Sequence, residues 1–180
     1  LIPWKKILPI VLLSMPFAFL GGMIQLDGPI YKLLAGITLV VAAFLIIKPV
    51  KENQIPLKNI SMLERSTIGS GIGFISGLIG IGGGIFLSPF LNILRWQTAK
   101  VISVTASVFI LFNSVAGIAG QLTNPISINI QQILTLGLAV AIGGQIGNYL
   151  NIKLLSPRVI KLLTAILVCV VGVRFILNNT

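Results

Sequence analysis

Long runs of apolar residues dominate this chain, and short polar stretches separate them. Five runs, at 7–25, 30–47, 101–121, 132–150 and 158–177, approach the roughly 20 apolar residues that a helix needs to cross a bilayer. No charged residue occurs between Arg65 and Arg95, or between Lys100 and Lys153. The pattern predicts an all-α fold, that of a polytopic integral membrane protein.

A sixth apolar run, 67–94, differs from the others because glycines interrupt it. As one helix it would be about 42 Å long, well above the ~30 Å of a bilayer core. Gly82, Gly83 and Gly84 are adjacent in this run, and each costs about 1 kcal/mol relative to alanine inside a helix. We therefore predict that the helix breaks there. Ser88 followed by Pro89 fits a cap and a first-turn proline, which would start a second half-helix.

The distribution of lysine and arginine predicts which way the broken run folds. If 67–94 crosses the membrane as one helix, the basic residues divide seven against six between the two sides. If it enters and returns as a re-entrant pair of half-helices, only Lys32 and Arg174 fall on the second side. Basic residues concentrate in cytoplasmic loops, so the re-entrant arrangement is favoured and the first side is predicted to be cytoplasmic. The residues on that side are Lys5, Lys6, Lys48, Lys51, Lys58, Arg65, Arg95, Lys100, Lys153, Arg158 and Lys161.

An internal repeat agrees with this arrangement. The sequence FLGGMI at 19–24, followed by GPIYKLL at 28–34, resembles GGQIG at 143–147, followed by SPRVIKLL at 156–163. With a re-entrant hairpin between them the two copies run in opposite directions, which is an inverted repeat. We predict that 1–50 is the end of a first transmembrane repeat, 51–66 a cytoplasmic linker, and 67–180 a second transmembrane repeat.

Composition excludes several classes of function. Only 9% of the residues are charged, against about 25% in soluble domains. The net charge of +10 comes from basic residues spread between apolar runs, without the interleaved aromatic residues that stack on bases. Histidine is absent, and the three carboxylates, Asp27, Glu52 and Glu64, fall in predicted loops. The sequence therefore predicts no nucleic-acid binding, no enzyme activity, no metal or cofactor site and no intramembrane proton relay.

The glycine break is the strongest candidate for a binding site. A broken helix inside a membrane leaves backbone amides unpaired, which is tolerated only where protein or a water-filled cavity receives them. A helix N-terminus carries partial positive charge, and glycine allows a close approach to the backbone, so an oxyanion is the expected ligand. We predict that Gly82, Gly83 and Gly84 receive the anion. A dinucleotide site is excluded because no Asp or Glu follows Glu64.

Other small and polar residues have a simpler interpretation available. Glycines that allow close helix packing are common in membrane proteins, and this is the interpretation that we favour for Gly69, Gly71, Gly73, Gly77 and Gly117. Serine and threonine hydroxyls often bond to their own helix, an alternative that stays open for Ser107. Asn113 needs partners in an apolar helix. We predict that Ser76, Ser107 and Asn113 help to orient the anion.

The whole chain resembles the sulfite exporter TauE/SafE family. The resemblance rests on SGLIGIGGG at 76–84 with Pro89 after it, TAS at 105–107, NS at 113–114, and the later glycine-rich span with KLL at 161–163. It implies a permease of the bacterial-type inner membrane that handles sulfite, sulfonates or related organic anions. Family members usually carry the glycine motif in each half, so the resemblance also implies a fragment that lacks the first glycine hairpin. A histidine expected from the family near Gln121 is absent.

The sequence thus predicts a membrane permease for a small oxyanion. Its expected partners are the lipid bilayer, the anion and a second copy of the chain. An anion channel and a non-transporting membrane partner protein are the alternatives.

Overall fold

Seven α-helices form the part of the chain that the computed structural model describes, residues 3–48, 61–125, 129–153 and 156–178. No strand occurs within these ranges. In chain order the helices are α1 Trp4–Met23, α2 Gly28–Ile47, α3 Met62–Ile79, α4 Gly84–Ile93, α5 Ala99–Gln121, α6 Ile130–Lys153 and α7 Pro157–Leu177.

Five of these helices are long and apolar enough to span a membrane, namely α1, α2, α5, α6 and α7. The predicted all-α fold and its five apolar spans are therefore confirmed. The sixth run begins earlier than predicted, because Ser61 and Glu64 form a capping box that starts α3 at Met62. The last residues of the predicted linker 51–66 are therefore helical, while 51–60 lie outside the described residues.

Glycines bring α1 and α3 into close contact. A Cβ atom placed on Gly69 would lie 2.8 Å from Ile10 Cγ2, one on Gly73 would lie 2.7 Å from the Ser14 carbonyl oxygen, and one on Gly77 would collide with the Ala18 carbonyl. We call Gly69, Gly73 and Gly77 the contact glycines. Their partners on α1 advance by the same four residues at each step, so α1 and α3 run parallel.

The packing interpretation of these three glycines therefore agrees with the structure, and Gly117 also lies in a close contact, 3.5 Å from Gly77 Cα by the same construction. Gly71 is different. A Cβ placed on it would meet no neighbouring helix within 4 Å among the described residues. A glycine-rich sequence does not reveal which glycines face a neighbour.

The chain turns back between α3 and α4. The start of α3 and the end of α4 lie at the same end of the bundle. There, Arg65 Cζ lies 5.9 Å from the ring centroid of buried Trp96. The opposite end of α3 lies beside the start of α2, because the Tyr31 hydroxyl donates a 3.0 Å hydrogen bond to the Ile79 carbonyl. Such a hairpin has the shape of the predicted re-entrant pair, whose placement in the bilayer, like the inverted repeat, stays a prediction.

The start of the second half-helix differs from the prediction. Helix α4 begins at Gly84, with Gly83 as its N-cap, and Pro89 lies inside it. The positive φ of Gly83, 74°, reverses the chain and lets the helix start at once. Pro89 is accommodated because its fixed φ suits a helix, at the loss of one hydrogen bond to the preceding turn.

The remaining helices form a second packing group. Helices α2 and α7 pack against each other and bury Ala42, Ala43 and Val168. Helix α2 also contacts α4 and α3, which joins this pair to the first group. In α6, every described side chain from Ile130 to Tyr149 is exposed.

Candidate functional site

Three glycines with left-handed backbone conformations build the connection between α3 and α4. We call Gly80, Gly82 and Gly83 the break glycines; their φ angles are 78°, 75° and 74°. Residues with a Cβ atom rarely adopt such angles, at a cost of about 1–2 kcal/mol each. Gly80 ends α3, and its amide donates to the Ser76 carbonyl at 2.8 Å. The glycines are therefore required by the backbone path itself.

Four consecutive amides at the break have no acceptor among the residues that the structure describes. Within the described part of the chain, the N–H groups of Gly82, Gly83, Gly84 and Ile85 make no hydrogen bond, whereas those of Phe86 and Leu87 donate to the Gly83 carbonyl. Gly82, Gly83 and Gly84 are buried. An unpaired buried amide costs about 1–3 kcal/mol, so this segment has a strong requirement for an acceptor.

A buried serine hydroxyl lies beside these amides. Ser76 is 2% exposed, and its Oγ has no hydrogen-bond partner in the described residues. A Cβ placed on Gly83 would lie 3.1 Å from this Oγ and 2.8 Å from Phe109 Cε1. Ser76 and Gly83 are therefore in close contact, and the hydroxyl is a further unused donor beside the break.

Asn113 lies one helical turn beyond Phe109 and is 1% exposed. Its Nδ2 donates to Ser14 Oγ at 2.8 Å and to the Phe109 carbonyl at 3.0 Å. Its Oδ1 is buried and has no hydrogen-bond partner among the described residues. Both amide hydrogens are therefore already used, and Asn113 can support the site by holding Phe109 and α1 in place.

Ser107 is not brought to this group. It is exposed, and its hydroxyl donates to the Ser103 carbonyl at 3.0 Å, which is the bond to its own helix that was left open as an alternative. The serine of α5 nearest to the break is Ser114, whose Oγ would lie 2.9 Å from a Cβ placed on Gly82. The helical spacing of Ser107 and Ser114 puts both on one face of α5. It does not indicate which turn of α5 lies beside the break.

Tyr31 is a residue of the site region that sequence reasoning missed. Its hydroxyl fixes the Ile79 carbonyl, which would otherwise be a free acceptor at the end of α3. Its position in the first turn of α2 gave no signal, because the contact joins residues 48 positions apart.

A cavity of about 260 Å³ reaches the start of α4 from the other end of the bundle. It lies between α2, α4 and α7, and we call it the α4 cavity. Its wall includes Gly84, Ile85 and Ser88. The cavity gives a small solute a route to the first turn of α4, where the unpaired amides are found.

Two curated proteins of similar sequence cover nearly the whole chain. The "Probable membrane transporter protein y4hK" of Sinorhizobium fredii is 30% identical over 180 residues, which is 97% of this chain and 72% of that protein. The "Probable membrane transporter protein MJ0441" of Methanocaldococcus jannaschii is 26% identical over 187 residues, 98% of this chain and 69% of that protein. No solved structure matches the chain.

The model of the family described as "Sulfite exporter TauE/SafE" matches residues 1–175. Together with the two relatives and the five apolar helices, this match identifies a multi-pass membrane transporter and confirms the prediction that the protein is not an enzyme. The chain belongs to the sulfite exporter TauE/SafE family.

Proposed function

We propose that this transporter carries a small oxyanion, of the sulfite, sulfonate or related organic class, and binds it at the start of α4. The observation that carries the proposal is the run of unpaired amides from Gly82 to Ile85, with the unpaired Ser76 hydroxyl beside it. Every polar group in this set can donate a hydrogen bond, which suits an anion. The name of the family agrees with this substrate class.

The geometry also suggests how the substrate is oriented. The amides at the start of a helix point along its axis, so an anion centred there benefits from several hydrogen bonds and from the helix dipole. Ser76 adds a donor from α3, and Asn113 holds α5 against α1. Movement of the two proposed repeats relative to each other would then expose the bound anion to one side of the membrane at a time.

Flux through liposomes tests this function. Purified protein is reconstituted in liposomes loaded with sulfite, thiosulfate, methanesulfonate or acetate, and efflux is followed over time. We expect saturable efflux of at least one sulfur oxyanion. In Ser76→Ala we expect at least about a tenfold loss of that efflux, because a hydrogen bond to a charged group contributes about 1.5–3 kcal/mol. Thr67→Ala is the control, since this exposed hydroxyl on the same helix bonds to the Leu63 carbonyl.

The same preparation distinguishes the alternatives. Stepwise conductance in a planar bilayer would identify a channel instead of a carrier. Absence of flux for all four anions, or full flux in Ser76→Ala, would contradict the proposed site.

A further inference from the structure

Two lysines line the α4 cavity at the end away from the break. Lys48 lies at the C-terminus of α2, Lys161 lies near the start of α7, and both contribute to the cavity wall together with Ser88 and Thr164. Gly84 lies in the same wall. The wall of one open cavity therefore contains two exposed lysines and the first residue of the helix whose amides are unpaired.

Close packing of α2 and α7 brings the lysines together. A Cβ on Gly36 would lie 2.6 Å from Ile176 Cγ1, while Ala42 and Ala43 pack with Val168. As the residue number rises on α2 it falls on α7, so the helices are antiparallel. Lys48 and Lys161 continue this series at the end of the pair, and small residues along it allow the backbones to approach.

No carboxylate of the described chain neutralises these lysines. Asp27 precedes the opposite end of α2, and Glu64 accepts from the Ser61 amide in the capping box of α3. Neither ammonium group makes an ion pair or a hydrogen bond within the described residues. Like charges that share a cavity repel each other, and a bound anion would relieve that repulsion.

Hydroxyl groups complete a set of donors around the cavity. The hydroxyls of Ser88 and Thr164 have no partner among the described residues. Asn92 lines the same cavity, and its Nδ2 donates to the Ser88 carbonyl at 2.8 Å, which fixes that turn of α4. Two ammonium groups and two free hydroxyls are chemistry that recognises an oxyanion.

We propose that Lys48 and Lys161, with Ser88 and Thr164, form a second anion site that captures the oxyanion before it reaches the amides at Gly84. This proposal rests on the proposed function, because it assumes that the anion passes from the lysines through the cavity to the break. The same chemistry would accept either a free oxyanion or the phosphate of a lipid headgroup, and the experiment separates these two sources.

Binding to the full chain in nanodiscs of purely zwitterionic lipid tests the site. Sulfite, thiosulfate, methanesulfonate and acetate are titrated by calorimetry against wild type and Lys48→Gln/Lys161→Gln. We expect at least one sulfur oxyanion to bind about tenfold more weakly to the double variant, with a weaker dependence on salt. Lys5→Gln/Lys100→Gln is the matched control, because both lysines are exposed, lie at the starts of α1 and α5, and do not line the cavity; it should keep the wild-type affinity.

A second variant guards against a loss caused by misfolding. Lys48→Arg/Lys161→Arg keeps both charges and should retain anion binding. Wild-type affinity in the glutamine variant would overturn the proposal, and so would the absence of saturable binding of all four anions to the wild type. Repeating the titration with phosphatidylglycerol in the nanodiscs tests the lipid source: if the lysine pair changes only lipid association and leaves anion affinity intact, the proposal fails.

Gly83→Leu separates this proposal from the proposed function. Loss of flux in Gly83→Leu with intact lysine-dependent binding supports both sites. Lysine-dependent binding together with normal flux in Gly83→Leu would leave the cavity site standing and remove the site at the break.

Discussion

The contact glycines and the break glycines lie on one continuous segment, yet they serve different physical purposes. Gly69, Gly73 and Gly77 are helical, and a side chain at any of them would strike α1. Gly80, Gly82 and Gly83 have positive φ angles, and a side chain there would strain the backbone whatever space surrounds it. Gly80 lies only three positions after Gly77. The comparison shows two uses of glycine. The contact glycines allow helices to associate because they are small, and the break glycines form the candidate site because their backbone can adopt positive φ angles.

The largest expected effect is on the break. Gly83→Leu should reduce flux to the level of protein-free liposomes, because leucine at φ 74° is strained and its side chain would meet Phe109 and Ser76. We expect membrane insertion to be preserved, since the five apolar spans are unchanged. Flux per inserted molecule is measured in liposomes beside Gly71→Leu, the same substitution at a position with free space. Equal flux in Gly83→Leu and Gly71→Leu would contradict the prediction that the break is more sensitive to a side chain than the exposed face of α3.

A smaller effect, on stability and not on substrate binding, is expected at the contact glycines. Gly77→Ala places a methyl group against the Ala18 carbonyl, and overpacking of this kind typically costs about 1–3 kcal/mol. The melting temperature in detergent should fall, while sulfite affinity of the folded fraction changes little. Thermal unfolding followed by tryptophan fluorescence measures this. An unchanged melting temperature would show that α1 and α3 are not held by this contact.

The smallest effect is expected at Gly71. Gly71→Ala adds a methyl group in open space on α3, and alanine favours a helix by about 1 kcal/mol over glycine. The melting temperature should stay the same or rise slightly, with flux unchanged. A fall in melting temperature as large as that of Gly77→Ala would indicate that another molecule packs against this face.

The sequence was sufficient to predict the five spans and the position of the break, because hydropathy and helix propensity are local properties. It did not predict the start of α4. Ser88 and Pro89 have the composition of a helix start, but Gly83 already supplies the reversal of the chain. The helix-start signal of Ser88 and Pro89 was therefore overridden by that of Gly83, which lies nearer to the break.

Properties that depend on which helices meet could not be predicted in the same way. Helical spacing placed Ser107 and Ser114 on one face, yet only Ser114 lies beside the break. The facing positions of Lys48 and Lys161 follow from the pairing of α2 with α7. The buried state of Ser76 and Asn113 depends on α1 and α5 in the same manner.

Backbone amide chemical shifts test the central claim most directly. The chain contains 19 glycines, so ¹⁵N-glycine labelling gives a limited set of resonances that can be followed in detergent while sulfite is added. We predict saturable shifts of the Gly82, Gly83 and Gly84 amides, with Gly69 and Gly71 unmoved. If sulfite is transported and those three resonances stay fixed at concentrations that saturate transport, the anion does not bind at the break.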